Sequence, residues 1–259
     1  MKTVKEITQA LKEATTEQAW ITELATDERA GVQKALKQFY SRLTKIQEAH
    51  QAHLERVAFD DSYRAKYGAV LAGVDEAGRG PLAGPVVTAA VVLPTDCSAF
   101  EGINDSKQLT KEQRANYAAV IKANAVAYAI HFQPVQVIDK INIYEATKRS
   151  MARSVGLLTV QPDGVLLDAM TVAIALPQEN IIKGDAKSLS IAAASILAKT
   201  ARDAYMDELA EKYPAYGFEQ HAGYGTPQHL EALAKHGVTA EHRTSFEPIK
   251  SMVQGGWLK

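Results

Sequence analysis

Two periods divide the chain. Up to about residue 68, apolar and imidazole positions recur at steps of three or four: Val32, Leu36, Phe39, Leu43, Ile46, His50, His53 and Val57. At 3.6 residues per turn this spacing draws one stripe along a long helix. Asp27 is placed to cap that helix. A shorter helix precedes it, opening at Thr3 with Glu6 three residues on, the two halves of a capping box. The stretch has no proline and only two glycines, Gly31 and Gly68, so nothing interrupts a helical reading. Residues 1–68 therefore read as an all-helical N-terminal extension, a solvated hairpin.

From residue 69 the period shortens. Residues 69–74 read as a strand. Residues 85–93, bounded by prolines, are apolar on both pleat faces, which predicts a strand buried on both sides and helices over both faces of a sheet. A helix is expected over 110–123, with Thr110 and Gln113 as its capping box. Strands are expected over 126–132, 164–168 and 180–183. Helices are expected over 134–158, with a break near Asn142, over 188–213 and over 226–236. This order predicts an α/β domain over 69–259: a mixed five-stranded sheet flanked by helices, ending in a helical region.

Composition narrows the function classes. Hydrophobic residues make up 46% and charged residues 23%, a globular balance. With 29 Lys plus Arg against 30 Asp plus Glu the net charge is −1, which excludes a diffuse basic coat but not a focused basic groove. The single cysteine, Cys97, excludes an internal disulfide and a multi-cysteine metal site. The first 20 residues hold no apolar signal core, and the apolar run at 86–93 is far short of the ~20 residues of a membrane helix. No membrane association and a cytoplasmic location are expected.

One motif misleads. Gly78-Arg-Gly-Pro-Leu-Ala83 satisfies a dinucleotide-binding fingerprint, with Asp96 and Asp105 downstream. That fingerprint needs a helix after the glycines to hold a pyrophosphate, and here Pro85 and a strand follow. More informative are acids at strand ends. Asp75 and Glu76 close the first strand, Asp168 closes the fourth, and Asp185 follows the fifth. Carboxylates so gathered repel one another unless a cation neutralises them, and oxygen-rich sets suit Mg²⁺ or Mn²⁺. Two such ions can activate a water and stabilise a leaving oxygen in phosphodiester cleavage. Each acid also has a structural alternative: Asp185 as a helix N-cap, Asp168 as a turn acid, and Asp75 and Glu76 on opposite faces of a continuing strand. Asp105 is a competing acid, read as a loop cap.

The stretch Val74-Asp-Glu-Ala-Gly-Arg-Gly-Pro-Leu-Ala-Gly-Pro85 closely resembles the signature of the ribonuclease HII family. Asn104-Asp-Ser-Lys-Gln-Leu109, Lys183-Gly-Asp185, Ser190-Ile-Ala-Ala-Ala-Ser-Ile-Leu-Ala-Lys199, Arg202-Asp203, Gly223-Tyr-Gly-Thr226 and His242-Arg-Thr-Ser-Phe246 match in the family's order. The resemblance covers about 69–250. Ala169 and Thr244 stand where the family commonly has Gly and Arg. The resemblance implies a ribonuclease H-like fold and an endoribonuclease. Its substrates would be RNA–DNA hybrids and DNA duplexes containing single ribonucleotides, cut to 3′-hydroxyl and 5′-phosphate ends. It implies Asp75, Glu76, Asp168 and Asp185 as catalytic acids binding Mg²⁺ or Mn²⁺, two ions during catalysis. Gly78, Arg79 and Gly80 would contact the ribonucleotide 2′-OH through backbone groups, and Tyr224 would stack on the neighbouring deoxyribose. The residue chemistry agrees: telling RNA from DNA at one nucleotide means sensing one hydroxyl, and glycine lets backbone approach it.

Ser195, Lys199 and Arg202 fall at i, i+4 and i+7 on the long helix, and Lys107, Lys187, Ser188 and Arg243 lie in matching loops. A subset of these is expected to cradle the DNA backbone. No histidine is assigned to catalysis. A monomer is expected. The competing readings are a non-catalytic hybrid-binding module of the same fold and a Mg²⁺-dependent phosphotransferase on small nucleotides, which would lack any P-loop.

Overall fold

Thr3 opens the first helix as its spacing predicts. Its hydroxyl accepts the Glu6 N–H, and Glu6 Oε2 accepts the Thr3 N–H at 2.7 Å. The structure, a computed structural model, describes residues 2–104, 106 and 109–255, and it divides into two units, Met1–Leu54 and Glu55–Lys259.

The first unit holds α1 (Val4–Glu13), α2 (Ala19–Glu23) and the start of α3 (Ala30–Tyr67). Ile7, Leu11, Ile21, Val32, Leu36 and Phe39 form its core. The first carbonyl to accept helical bonds in α3 is that of Arg29. Asp27 lies two residues earlier and accepts the Arg29 N–H, so it shapes the turn into the helix instead of capping its first turn. The apolar stripe is not continuous. Ile46 is 50% exposed, while Val57, in the second unit, packs on that unit's core.

In the second unit β1 (Leu71–Ala77) and β2 (Val86–Val92) are followed by α4 (Lys111–Asn124), β3 (Ala127–Gln133), α5 (Val135–Ile141) and α6 (Ile143–Gly156). Then come β4 (Gly164–Asp168), β5 (Gln178–Ile181), α7 (Gly184–Lys187), α8 (Leu189–Lys212), α9 (Phe218–His221), α10 (Pro227–His236) and α11 (Ile249–Gln254). The strands make one mixed sheet in the order β3-β2-β1-β4-β5; β1 pairs antiparallel with β2 and parallel with β4. Every residue of β2 is buried. Ala89 and Val91 pack with α4 and α8 on one face, and Ala90 and Val92 with α6 on the other, as a strand apolar on both pleat faces requires.

Three local details set the site. Asn142, at φ 68°, ends α5, and its side chain accepts the Glu145 N–H to start α6, which makes the expected break. β5 lies two residues earlier than expected, and Lys183, at φ 56°, is in the left-handed region, which no strand tolerates. Gly73 has no side chain because α8 lies against it: a Cβ there would fall 2.2 Å from the Ser190 carbonyl carbon. That close approach lays the N-terminal turns of α8 along β1.

Candidate active site

β1 and β4 run parallel, with Val74 beside Leu167, so Asp75 and Asp168 are the next residues along neighbouring strands. By the period of two both point to the α8 face. Asp75 is only 5% exposed. Burial pushes its carboxyl well above the usual range, and the charges of Glu76 and Asp168 push it further; the Glu76 N–H, at 2.7 Å, and the Ser195 hydroxyl pull it back only in part. Asp168 Oδ1 accepts the Gly184 N–H at 2.7 Å, which ties the end of β4 to the start of α7.

Glu76 lies inside β1, which continues to Ala77, so Asp75 and Glu76 alternate across the pleat. Both nevertheless border one cavity of about 370 Å³, together with Asp168, Ser195, Lys199 and Tyr224. Gly78, Arg79 and Gly80 complete one rim, and Arg79 Nη1 stands 3.3 Å from Glu76 Oε1. Asp185 is buried in α7, next to Gly184, and does not line this cavity. It does not cap α8 either: Ser188 does, accepting the Ile191 N–H. Among the described residues, no three His, Cys, Asp or Glu side chains stand close enough together to hold a metal ion as they are placed here.

The cations expected on phosphate divide sharply. Arg243 is fully buried: Nε donates to the Gly84 carbonyl, Nη1 to that of Arg79 at 2.8 Å, and Nη2 to those of Gly78 at 2.6 Å and Gly84. Arg202 is buried too, donating to the carbonyls of Pro85, Ala222 and Ala83. Burial lowers both guanidiniums, Arg202 to about 10 and Arg243, with the charge of Arg202 added, to about 9, so both stay charged at neutral pH. These bonds hold backbone, so Arg202 and Arg243 are built into the fold, unlike the exposed members of the set of which a subset is expected on phosphate. The Ser188 hydroxyl is likewise committed, to the Ile191 N–H and the Ser190 hydroxyl. Ser195 shares its hydroxyl with Ser106 at 2.9 Å and with Asp75, so it serves the carboxylate. Lys199 borders the cavity while paired with Asp203, and Lys187 is exposed at the end of α7. Lys107 and Asp105 lie outside the described residues.

The Gly78-Arg79-Gly80 and Tyr224 loops meet at the rim. Tyr224 is 49% exposed, and its Cε1 lies 3.4 Å from where a Cβ on Gly80 would stand. Sequence reasoning passed over Asp139. Its carboxylate accepts the N–H and hydroxyl of both Thr244 and Ser245, fastening the segment that carries Arg243. A lone acid on α5 carries no local signal of a partner 105 residues away.

Comparison with known proteins fits this geometry. A family model described as Ribonuclease HII matches residues 72–249, and one described as Ribonuclease HII N-terminal domain matches 3–64. The chain is 50% identical over 249 residues to the ribonuclease HII of Halalkalibacterium halodurans, covering 95% of this chain and 94% of that one. It is 52% identical over 231 residues to that of Bacillus cereus, covering 89% and 90%. Among solved structures, ribonuclease H2 from Pyrococcus horikoshii superposes with a TM-score of 0.66 at 25% identity, over 73% of this chain and 99% of that one. The strand order, the flanking helices and these matches agree. The chain belongs to the ribonuclease HII family and is an endoribonuclease with ribonuclease H activity on RNA–DNA hybrids.

Proposed function

We propose that this endoribonuclease also cuts duplex DNA 5′ of a single embedded ribonucleotide, leaving 3′-hydroxyl and 5′-phosphate ends, with Mg²⁺ or Mn²⁺ and two ions during catalysis. The observation that carries the reading is the exposed Tyr224 ring beside Gly80, at the mouth of a cavity walled by Asp75, Glu76 and Asp168. A sugar held there has a carboxylate wall on one side and a loop of glycines on the other.

The carboxylates fit divalent ions by their chemistry. Hard oxygen donors at neighbouring strands suit Mg²⁺ and Mn²⁺, and Asp75 is pushed up first by burial and then by the like charges of Glu76 and Asp168, a repulsion that a bound cation would relieve. Asp75, Glu76, Asp168 and Asp185 would hold the ions. When bound, such ions supply an activated water and charge stabilisation at the leaving oxygen. The chain's own groups do the rest. The Ser195 hydroxyl orients Asp75. Arg243 holds the Gly78 and Arg79 carbonyls from behind, so their trans peptides turn the Arg79 and Gly80 N–H groups away from it, as donors for a 2′-oxygen. Tyr224 offers its ring to the next sugar, and Lys199 and Lys187 offer charge to phosphates. A non-catalytic binding module would have no use for three carboxylates lining one cavity.

Residues 1–68 form an extension that adds phosphate contacts. Lys34, Lys37 and Lys45 are exposed on one face of α3, around a shallow depression shared with Gln38 and Ser41. Among the described residues no helix is long and apolar enough to cross a membrane, and the proposal places a monomer in the cytoplasm.

The test is a DNA duplex with one ribonucleotide, incubated with Mg²⁺, with Mn²⁺ and with EDTA. Incision 5′ of the ribonucleotide in either metal and none in EDTA is expected. An uncut duplex beside a cleaved long hybrid would overturn the single-ribonucleotide reading. A duplex whose ribonucleotide carries a 2′-O-methyl group should resist.

A further inference from the structure

Three histidines that the reaction leaves unused surround the Tyr224 loop, and their hydrogen bonds determine where each proton sits. The Thr239 N–H donates to His242 Nδ1 at 2.9 Å, so that nitrogen is an acceptor and the proton of neutral His242 is on Nε2. His242 Nε2 stands 3.1 Å from His229 Nε2, which must then accept, and this leaves the His229 proton on Nδ1. His229 Nδ1 donates to the Tyr224 carbonyl at 2.9 Å. His221 stacks on His229 at 4.7 Å; its Nδ1 accepts the Gly223 N–H and its Nε2 donates to the Tyr216 carbonyl. All three rings are buried, and burial lowers the proton affinity of His229 and His242. A proton added to His242 Nδ1 would face the Thr239 N–H, and one added to His229 Nε2 would face a second N–H.

The segment that carries His242 also serves the other recognition loop, through an isolated bridge between Ala83 and His242. The Arg243 N–H donates to the Leu82 carbonyl, Gly84 donates to the Glu241 carbonyl, and Leu82 donates to that of Gly223, all at 2.8 Å. His242 thus holds Tyr224 through His229, and the next residue, Arg243, holds the Gly78 and Arg79 carbonyls.

We propose that His242 and His229 are positioning residues for Tyr224, acting as a tautomer-locked relay, and that the His242-Arg243 dipeptide holds the junction-reading tyrosine and the Gly78-Arg79-Gly80 loop at one fixed separation. The inference rests on the reading of Tyr224 given above. It makes recognition of an RNA-to-DNA junction depend on two imidazoles that never touch the substrate.

The first measurement needs no substrate: long-range ¹H–¹⁵N spectra of the histidines in the full-length protein at neutral pH. The relay requires the Nδ1–H tautomer at His229 and the Nε2–H tautomer at His242. The Nε2–H form or a doubly protonated ring at His229 would overturn it. The second compares kcat/KM on a duplex with one ribonucleotide and on a uniform RNA–DNA hybrid. His229→Phe should lower the ratio of the two by about three- to tenfold, the scale of one lost hydrogen bond. His229→Asn, which places an amide donor where Nδ1 stood, should restore most of it. Equal losses on both substrates would mark His229 as a packing residue only and overturn the relay. Tyr224→Ala separates the two readings. An unchanged ratio in that variant overturns junction reading itself, whereas a fall there with none in His229→Phe overturns the relay alone.

Discussion

Nε of Arg202 occupies the space in which Gly78 would carry a side chain: a Cβ built on Gly78 falls 1.9 Å from it. Arg202 cannot retreat, because three carbonyls hold its guanidinium in place. Gly78 is also at φ 90°, where an L side chain costs about 1–3 kcal/mol before any clash. Gly78→Ala should therefore move the loop. The expected outcome is a loss of about 2–4 kcal/mol in urea unfolding and a fall in single-ribonucleotide incision of about 100-fold or more. Cleavage at the wild-type rate would show that the loop conformation is not what recognises the sugar.

Arg243→Lys distinguishes a backbone clamp from a phosphate ligand. An ammonium cannot reproduce the guanidinium fork, so at least one of the Gly78, Arg79 and Gly84 carbonyls loses its donor in a buried site. Each such loss costs about 1–3 kcal/mol. A lower denaturation midpoint with an unchanged salt slope of binding is expected. A phosphate ligand would behave the other way, with stability kept and the slope altered.

The contrast between Arg202 and Lys199 shows how far a local pattern carries. The run in β2, apolar on both pleat faces but for Thr88, predicts a covered sheet, and the carboxylates near the ends of β1 and β4 predict a crevice, because both follow from a period of two. On α8, Ser195, Lys199 and Arg202 share one stripe and look alike in sequence. Both border the cavity, but Arg202 is buried, with its guanidinium held by carbonyls as many as 119 residues away, whereas Lys199 pairs with Asp203 one turn along its own helix. Helix periodicity states which residues share a face, not whether a loop from elsewhere covers that face. The histidines were passed over for the same reason. Their partners are the backbone of the Tyr224 loop and the turn after α10, and no H-x-x-x-H spacing marks such a relay.

His242 should leave a mark on acid stability. Burial, and after it the neighbouring His229, push its imidazole down from 6.5 to about 4. In the unfolded chain the ring takes a proton near pH 6.5, and in the folded protein not until about pH 4. The unfolded state thus binds more protons in between, and stability falls as pH falls through that window. The loss reaches on the order of 3 kcal/mol by pH 4, at about 1.4 kcal/mol per unit. Urea midpoints at pH 7 and pH 5 should differ, and His242→Gln, which keeps a donor toward His229, should flatten the difference. An identical slope in the variant would remove His242 as its source.

The charges on the extension should act through salt. Lys34, Lys37 and Lys45 are exposed, whereas Arg42 is spent on the Leu11 and Ala14 carbonyls. Replacing the three lysines with Gln should leave kcat unchanged and weaken duplex binding. The slope of log K against log salt should shrink by up to about 2–3. An unchanged slope would exclude this face from the substrate path.

Asp75→Asn sets function against stability. The carboxyl of Asp75 is buried and feels the like charges of Glu76 and Asp168, an arrangement a fold alone does not favour. The isosteric amide removes the repulsion and retains an oxygen for the Glu76 N–H and the Ser195 hydroxyl. Without divalent ions the variant should be more stable than wild type, by about 1–2 kcal/mol, yet inactive. Added Mg²⁺ or Mn²⁺ should raise the melting temperature of wild type through mass action and raise that of the variant much less, which narrows or reverses the gap. A variant less stable than wild type in EDTA would mean that the carboxylate is held by the fold and not by the cation, and would remove Asp75 as the centre of the metal site.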